Sequence, residues 1–505
     1  MEALPMHSTT TVLDLLERNA RVTPLRTFCL QLEESAGKLQ CLTIKYETLI
    51  QMVCNCQIWL KSHLPTFSTD ISVAMLLDSD VGLIVHLFAA IGLGIPTFLL
   101  SNRLSPYRLR NLLLSRAPLV LLASKSCMPL AKEALELFGT NMQVRLQCSL
   151  QYQELLVPLR EKTEKLHHGP PAHKAFALHT YGEGPPRFFV LPHRYLMTLA
   201  DSAASGHGMM LSTFPLQHCC GLLAPMLSLT LPGVSFVATP TSWIPCADSV
   251  VQILRQFKVK SLITSPRILE HATKVPGGTS HLRKLDYVAY TSDVLLYEVG
   301  QQLAAAGVKL INVFSTAELG IISSLTYSPN RDWRFFRLRK DVLCNTIFSS
   351  DSECKLEIRP SGCNGYTRLD GTFIRNTTTS TDFRLMERSD KVVSLAQGIL
   401  VRPWVIEDAL NEHVNVCKAL VYVLDPRVVV VIEPTTDMTE LQRSQLEPDI
   451  LSLIEDAFEY GQMHDLEKEV ELEIIFCDFP RTVDEAALRD GIYKEIKRDG
   501  SMNST

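Results

Sequence analysis

The sequence predicts an α/β protein. It has a large N-terminal domain of mostly parallel sheets with helices on both faces and a β-rich subdomain, then a small C-terminal α+β domain. Three observations carry this. Short apolar runs alternate with helical patterns through the first ~390 residues, which demands crossover connections and hence parallel strands. From Cys354 the texture changes to strands and turns. After about Asp390 a compact segment of strands and helices follows without a long linker.

The apolar runs are residues 72–77 (SVAMLL), 118–123 (PLVLLA), 176–179 (FALH), 234–238 (VSFVA), 261–264 (SLIT), 287–290 (YVAY) and 309–312 (KLIN). Helical patterns cover 43–61, 104–115, 247–257 and 295–306. The uncharged run 81–100 is long enough to span a bilayer. Gly92, Gly94 and Pro96 punctuate it, so a buried helix over 81–91 and a buried strand over 96–99 explain the same letters. Residues 354–375 read as the small β-rich unit. The tail reads as a hairpin (392–403), a helix (404–411), two strands (419–434), a long helix (440–460), a strand (471–476) and a last helix (486–497). The domains are therefore expected at 1–389 and 390–505, with a short hinge at Asp390.

Bulk composition excludes several classes. Of 505 residues 46% are hydrophobic and 20% charged, and the net charge is −5, so no global field draws the chain to nucleic acid or an anionic membrane. The basic cluster 334–340 (RFFRLRK) reads as a solvated strand face. Fourteen scattered cysteines form no CxxC pair and no Cys/His spacing suited to zinc. The N-terminus has no secretory pattern, so a reducing cytoplasm with free thiols is expected and the Asn376 sequon carries no sugar. There is no GxSxG elbow for a serine hydrolase. Cys219 beside His218 is set aside as an activated thiol, because neighbours on a strand face opposite ways.

The richest stretch is 310–320, LINVFSTAELG. It follows a strand, so its polar residues fall at the carboxyl end of a parallel sheet, where open α/β folds bind ligands. Thr316 suits a phosphate and Glu318 a magnesium ion. A strand-to-helix connection, capped by Ser-Thr with Glu in the first turn, explains these letters as well.

Read in order, these pieces resemble the adenylate-forming superfamily of acyl-CoA synthetases, luciferases and nonribosomal peptide synthetase adenylation domains. Residues 10–31, 176–182, 191–197, 212–229, 332–338 and 479–496 most resemble fungal synthetase-like reductases. The resemblance covers nearly the whole chain, and no carrier or reductase module is expected after the final helix. It implies ATP-dependent activation of a small carboxylic acid to an acyl-AMP, with Mg²⁺. Acyl transfer to CoA or a carrier phosphopantetheine would follow, with a carrier protein or biosynthetic enzyme as partner, in fungal secondary metabolism.

The same resemblance assigns residues, and exposes departures. The family phosphate loop reads TSGSTG-x-PK; residues 180–187 (TYGEGPPR) stand there one residue short. It implies that Thr180, Gly182 and Gly184 cradle phosphate and that Arg187 replaces the lysine. Tyr181 and Glu183 replace serines, and a carboxylate ~4 Å from polyphosphate at a dielectric of ~20 costs about 4 kcal/mol. His218 in 215–221 (PLQHCCG) matches a histidine near the acyl pocket, alongside the alternative of a hydrogen-bonded core histidine. Thr291-Ser292-Asp293 stands where the family has a Gly-Gly-Ala turn against adenine. The segment 314–318 retains Thr316 and Glu318, after Asn312. Asp370 and Arg388 match the ribose contacts. The C-terminal lysine is not matched: Asp484, Glu485 and Ala486 hold its places, with Lys494 and Lys497 two or three turns on. The resemblance thus leaves three readings open: an active ligase, an impaired or repurposed binding or scaffold protein, and a nucleotide-independent acyltransferase. The apolar, small residues at 218–222 and 287–293 point to an aryl or polyketide-like acid more than to an amino acid.

Overall fold

A computed structural model describes residues 10–35, 38–64, 72–104, 106–137, 144–157, 165–169, 175–179, 188–203, 207–240, 243, 245–292, 294–348, 353–360, 365–369, 371–379, 381–385, 393–394, 400–401, 403–411, 413, 415–424, 427–435, 438–459, 471–477, 492, 493 and 496. They fall into two compact units. One takes the described residues of 1–102, 116–180 and 188–386; the other takes those of 103–115 and 387–505.

The first unit contains two large sheets. One is ordered Leu310–Asn312, Tyr287–Tyr290, Val259–Thr264, Gly208–Ser212, Val234–Ala238, Thr27–Ser35, Lys38–Lys45. All its pairings are parallel except the last, an N-terminal hairpin. The other is ordered Arg145–Cys148, Val120–Ala123, Val73–Leu76, Thr97–Leu100, Phe176–His179, Phe188–Leu191, and is parallel up to its last strand.

The two sheets share a winding rule. In each, a first strand leads through a twelve-residue helix, Val81–Gly92 or Cys219–Thr230, to a neighbour on one side. The next strand in sequence then lies on the opposite side of the first. Such a reversal opens a crevice at the carboxyl ends of the strands. Both helices are capped by the side chain of the residue before them: Asp80 accepts from the Gly82 N–H at 2.8 Å, and His218 from the Cys220 N–H at 3.1 Å.

The run 81–100 resolves into the helix Val81–Gly92 and the strand Thr97–Leu100, whose four residues are buried. Gly94 (φ +71°) turns the chain between them. Among the described residues no helix is long and apolar enough to cross a membrane. The pattern expected as a helix from residue 43 divides instead: Lys38–Lys45 is a strand of the N-terminal hairpin, and the helix runs Tyr46–His63. Leu42 and Ile44 serve the strand's period of two as readily as the helix's 3.6, so pairing with Thr27–Ser35 decides.

The β-rich region of the first unit is an antiparallel sheet of Phe336–Arg337, Asp382–Leu385, Phe373–Arg375, Glu353–Pro360 and Val342–Phe348, with Thr367–Arg368 alongside. Phe336, Phe373 and Phe383 fill its core. Asp382 is buried yet accepts a fork from Arg337 at 2.7 and 3.0 Å. Burial alone would raise this carboxyl, but the Arg337 bonds and the Arg331 charge hold it below its usual range. In the second unit, Val416–Leu424 and Arg427–Pro434 pair antiparallel, Glu471–Phe476 adds parallel, and Pro403–Asn411 and Glu440–Glu459 supply the helical residues of the core. There Glu407 accepts from the Val421 N–H at 2.7 Å and Asn411 from the Ala419 N–H at 2.8 Å, fastening helix to strand.

Candidate functional site

The reversal in the first sheet lies between Gly208–Ser212 and Val259–Thr264. Hydroxyls collect at the carboxyl ends of these strands and their neighbours. Thr213 donates to Thr264 at 3.1 Å, and the Thr291 and Ser315 hydroxyls lie 3.4 Å apart. The helix Cys219–Thr230 leaves from the same edge, so His218, at its cap, stands in the crevice. Its ring stacks on Phe214 at 5.2 Å between centroids.

Thr316 and Glu318 belong to a hairpin, not to a helix start. Ser315–Thr316 pairs antiparallel with Gly320–Ile321 around the loop 317–319. The cause is Gly320, whose φ of +70° closes a three-residue loop that a side chain would strain. Thr316 Oγ1 accepts from the Leu319 N–H at 3.1 Å, which fixes the loop from within. From outside, Tyr195 of the helix His193–Ala200 donates to the Ala317 carbonyl at 3.0 Å. Its ring lies against Gly320, whose missing side chain makes that approach possible.

Arg339 adds the second brace. Its guanidinium donates to the Thr198 carbonyl at 2.6 Å and the Ile321 carbonyl at 2.8 Å, and pairs with Asp341. Only 4% of this side chain is exposed, so residues 334–340 are not the solvated face expected from their charge. Phe335 and Phe336 are also buried, and Arg337 bonds Asp382. Carbonyls at the hairpin and helix ends need donors, and arginine supplies several in a fixed fork.

The electrostatics of these residues are coupled. The Tyr195 hydroxyl is pushed well above its ordinary pKa by burial first, then by Cys219, Cys220 and Glu318. Cys220 is the more acidic thiol of its pair, because it accepts from Cys219 and has the Ser315 and Thr291 hydroxyls beside it, against the opposing effect of burial. Cys219 is raised, by donating to Cys220 and by burial. These cysteines open a helix and do not alternate along a strand, so the adjacency objection fails: Cys219 Sγ is 3.8 Å from both His218 Nδ1 and Cys220 Sγ. Asn312 is engaged elsewhere, its amide donating to the Arg334 carbonyl at 2.7 Å.

A family model described as AMP-binding enzyme matches residues 16–340. The chain belongs to this family. It is 30% identical over 452 residues to the adenylate-forming reductase stbB of Stachybotrys bisbyi, covering 85% of this chain and 42% of that protein. It is 29% identical over 467 residues to the non-canonical non-ribosomal peptide synthetase ascB of Acremonium egyptiacum, covering 87% and 42%. The chain thus spans about two fifths of the length of these curated relatives. The fold matches the A domain of a carboxylic acid reductase from Segniliparus rugosus, solved with AMP and a co-purified carboxylic acid. The TM-score is 0.62 at 14% identity, over 99% of this chain and 95% of that one.

Within this AMP-binding frame the structure gathers His218, Thr316 and Glu318 and ties Asn312 to the Arg334 carbonyl. Thr180, Gly182, Gly184, Arg187, Asp370 and Arg388 lie outside the described residues, as do Tyr181, Glu183, Asp293, Asp390, Asp484, Glu485, Ala486, Lys494 and Lys497. At the place of the family's glycine turn, Thr291 is buried and tied to Ser315, while exposed Ser292 takes φ +81°. The left-handed turn therefore persists without glycine, at a cost of about 1–2 kcal/mol. Ser292→Gly is expected to stabilise the fold by about 0.5–1 kcal/mol, after the entropy glycine adds to the unfolded chain. Chemical denaturation of the two proteins measures it.

Tyr195, Arg339 and the Cys219–Cys220 pair were not singled out from sequence. A further glycine matters here. A Cβ on Gly221 would lie 1.9 Å from the Pro215 carbonyl oxygen and 2.5 Å from its carbon, both backbone atoms. The segment carrying His218 can pack on the helix only because residue 221 has no side chain. Gly221→Ala is expected to cost about 3 kcal/mol, outweighing the ~1 kcal/mol helix-propensity gain. The urea midpoint reads this.

A separate polar cavity of about 340 Å³ opens at the reversal of the other sheet, lined by Glu33, Asp78, Asp80, His86, Ser124 and Ser126 among others. It shares no residue with the Thr316–Glu318 hairpin or His218.

Proposed function

We propose that this chain activates a small carboxylic acid with ATP, forming an acyl-adenylate and pyrophosphate, and then passes the acyl group to the thiol of CoA or a carrier phosphopantetheine, whose sulfur bonds the acyl carbon as AMP leaves and the thiol proton is released. The observation that carries this is the braced hairpin: Thr316 and Glu318 sit on a loop fixed by Tyr195 and Arg339 at the carboxyl edge of a parallel sheet, beside the crevice holding His218. A site that must place charge against a triphosphate needs such a rigid support. The chemistry is displacement at the α-phosphorus: a carboxylate oxygen forms the new P–O bond and pyrophosphate leaves with the electrons of the old one.

The residues fit the group they would serve. Glu318 is half-buried, forms no ion pair among the described residues, and stands close enough to Tyr195 to raise its pKa. A Mg²⁺ held by this carboxylate would offset polyphosphate charge. Thr316 would offer its hydroxyl to phosphate and Arg187 a cation, and Asp370 and Arg388 would serve ribose, as the family resemblance implies. The crevice around His218 takes the acid, of aryl or polyketide-like type. The relatives include a fungal adenylate-forming reductase and a non-canonical non-ribosomal peptide synthetase; the proposed role extends to a place in secondary metabolism, with a carrier protein or biosynthetic enzyme as partner, in the cytoplasm.

A second reading is favoured by Tyr181, Glu183 and the acidic residues 484–485, which put negative charge where the family puts hydroxyls and a lysine. In it the chain is impaired as a ligase and acts as a binding or scaffold protein, or moves acyl groups from pre-activated thioesters without nucleotide. Pyrophosphate exchange with a panel of aryl and polyketide-like acids separates these. Acid-dependent exchange supports activation. Its absence, with thermal stabilisation by AMP, supports a retained but non-catalytic pocket. Thioester turnover indifferent to nucleotide supports the acyltransferase.

A further inference from the structure

We infer that His218, Cys219 and Cys220 form a binding site for one thiophilic divalent cation of the zinc type at the start of the helix Cys219–Thr230. Among the described residues this is the one group of three or more His, Cys, Asp or Glu whose ligand atoms cluster, all within 4.8 Å of one another.

The distances suit a metal. Two thiolates at ~2.3 Å from a tetrahedral zinc ion lie about 3.8 Å apart. The Cys219 and Cys220 sulfurs are 3.8 Å apart, and Cys219 Sγ is 3.8 Å from His218 Nδ1. The two pairs that include Cys219 are thus near ligand spacing, and the three donor atoms as a set lie within 4.8 Å, so loading draws them inward. Ser315 Oγ lies 3.3 Å from Cys220 Sγ.

The surroundings favour occupancy by this class of ion. Both sulfurs are buried, while His218 is of intermediate exposure. Two thiolates cancel a 2+ charge, so the loaded site is neutral and carries no net charge into the protein interior. Each ion bound displaces two thiol protons to solvent. Soft sulfur and imidazole donors select zinc-type ions over magnesium or calcium. His218 Nδ1 must give up the Cys220 N–H at 3.1 Å to ligate, a neutral hydrogen bond exchanged for a coordinate bond.

The test uses the full chain, reduced and chelator-treated, with the exposed Cys41, Cys148 and Cys246 changed to Ser to remove surface thiols. Cd²⁺ serves as the probe, followed by equilibrium dialysis and by its thiolate charge-transfer absorption. One equivalent is expected to bind, with Zn²⁺ displacing it. Cys219→Ser and Cys220→Ser should each weaken binding by at least ~100-fold. His218→Asn, which keeps a helix-capping side chain, should weaken it by about 10-fold or more. Because the parent alone must bind, misfolding of a variant does not shelter the proposal. It is overturned if the parent takes up no Cd²⁺ with a charge-transfer band. It is equally overturned if the Cys219→Ser/Cys220→Ser protein binds the same equivalent as tightly.

Discussion

Glu318→Ala is expected to abolish acid-dependent pyrophosphate exchange, by at least ~10²–10³-fold, while leaving the fold intact. The size follows from the role: a carboxylate that positions a cation against developing phosphate charge in a site screened from water contributes several kcal/mol to the transition state. Stability should hold because nothing structural depends on this side chain. The loop is fixed by Thr316 Oγ1 at the Leu319 N–H and by Tyr195 at the Ala317 carbonyl. Glu318 forms no ion pair among the described residues, so a change within about 0.5 kcal/mol is expected. Glu318→Asp should retain part of the exchange, since it keeps the carboxylate and moves it by one methylene. Exchange in Glu318→Ala equal to the parent would sink the metal assignment while leaving family membership untouched. If the parent shows no exchange at all, the second reading stands and Glu318 is a relic.

Much of the fold could be read from the chain because its parallel strands are buried on both faces. Runs such as 73–76 and 120–123 are continuously apolar for that reason, and twelve-residue helices separate some of them. The N-terminal hairpin was less legible. Its strand Lys38–Lys45 runs directly into the helix Tyr46–His63, with no glycine or proline between them, and only pairing with Thr27–Ser35 tells strand from helix.

The sequence singled out Thr316, Glu318 and His218 because phosphate, metal and acid chemistry demand particular letters, and the structure places Thr316 and Glu318 on one hairpin. The site was not legible where support comes from the far end of the chain or from the third dimension. Arg339 was hidden in a basic cluster, because charge in sequence says nothing of the carbonyls at Thr198 and Ile321 that draw the side chain inward. Tyr195 was one aromatic on an amphipathic helix. Its role depends on Gly320, 125 positions away, leaving room for its ring. Cys219 was set aside because the strand assumption sent it to the face opposite His218, whereas a helix start brings its sulfur to 3.8 Å from His218 Nδ1.

Asp80→Asn is expected to stabilise the protein above neutral pH and to change little in acid. Asp80 caps the helix Val81–Gly92 and lines the cavity at the second sheet reversal. Burial first, and then the charge of Asp78, push its carboxyl up to about 7, against the help of the Gly82 and Leu83 N–H groups. In the unfolded chain the same group titrates near 3.8. The folded state therefore prefers the protonated form. Its contribution to stability is full below about pH 4 and is lost as pH rises through about 7. Three pKa units correspond to about 4 kcal/mol, an upper bound because the polar cavity beside Asp80 admits some screening. Asparagine caps a helix as well as aspartate does and carries no charge to bury. The gain in Asp80→Asn should thus reach about 2–4 kcal/mol at pH 8 and fade towards zero near pH 4. Urea midpoints across that range measure it. A gain independent of pH would show that Asp80 is not the titrating group. A loss at pH 8 would show that its charge is compensated in the folded protein.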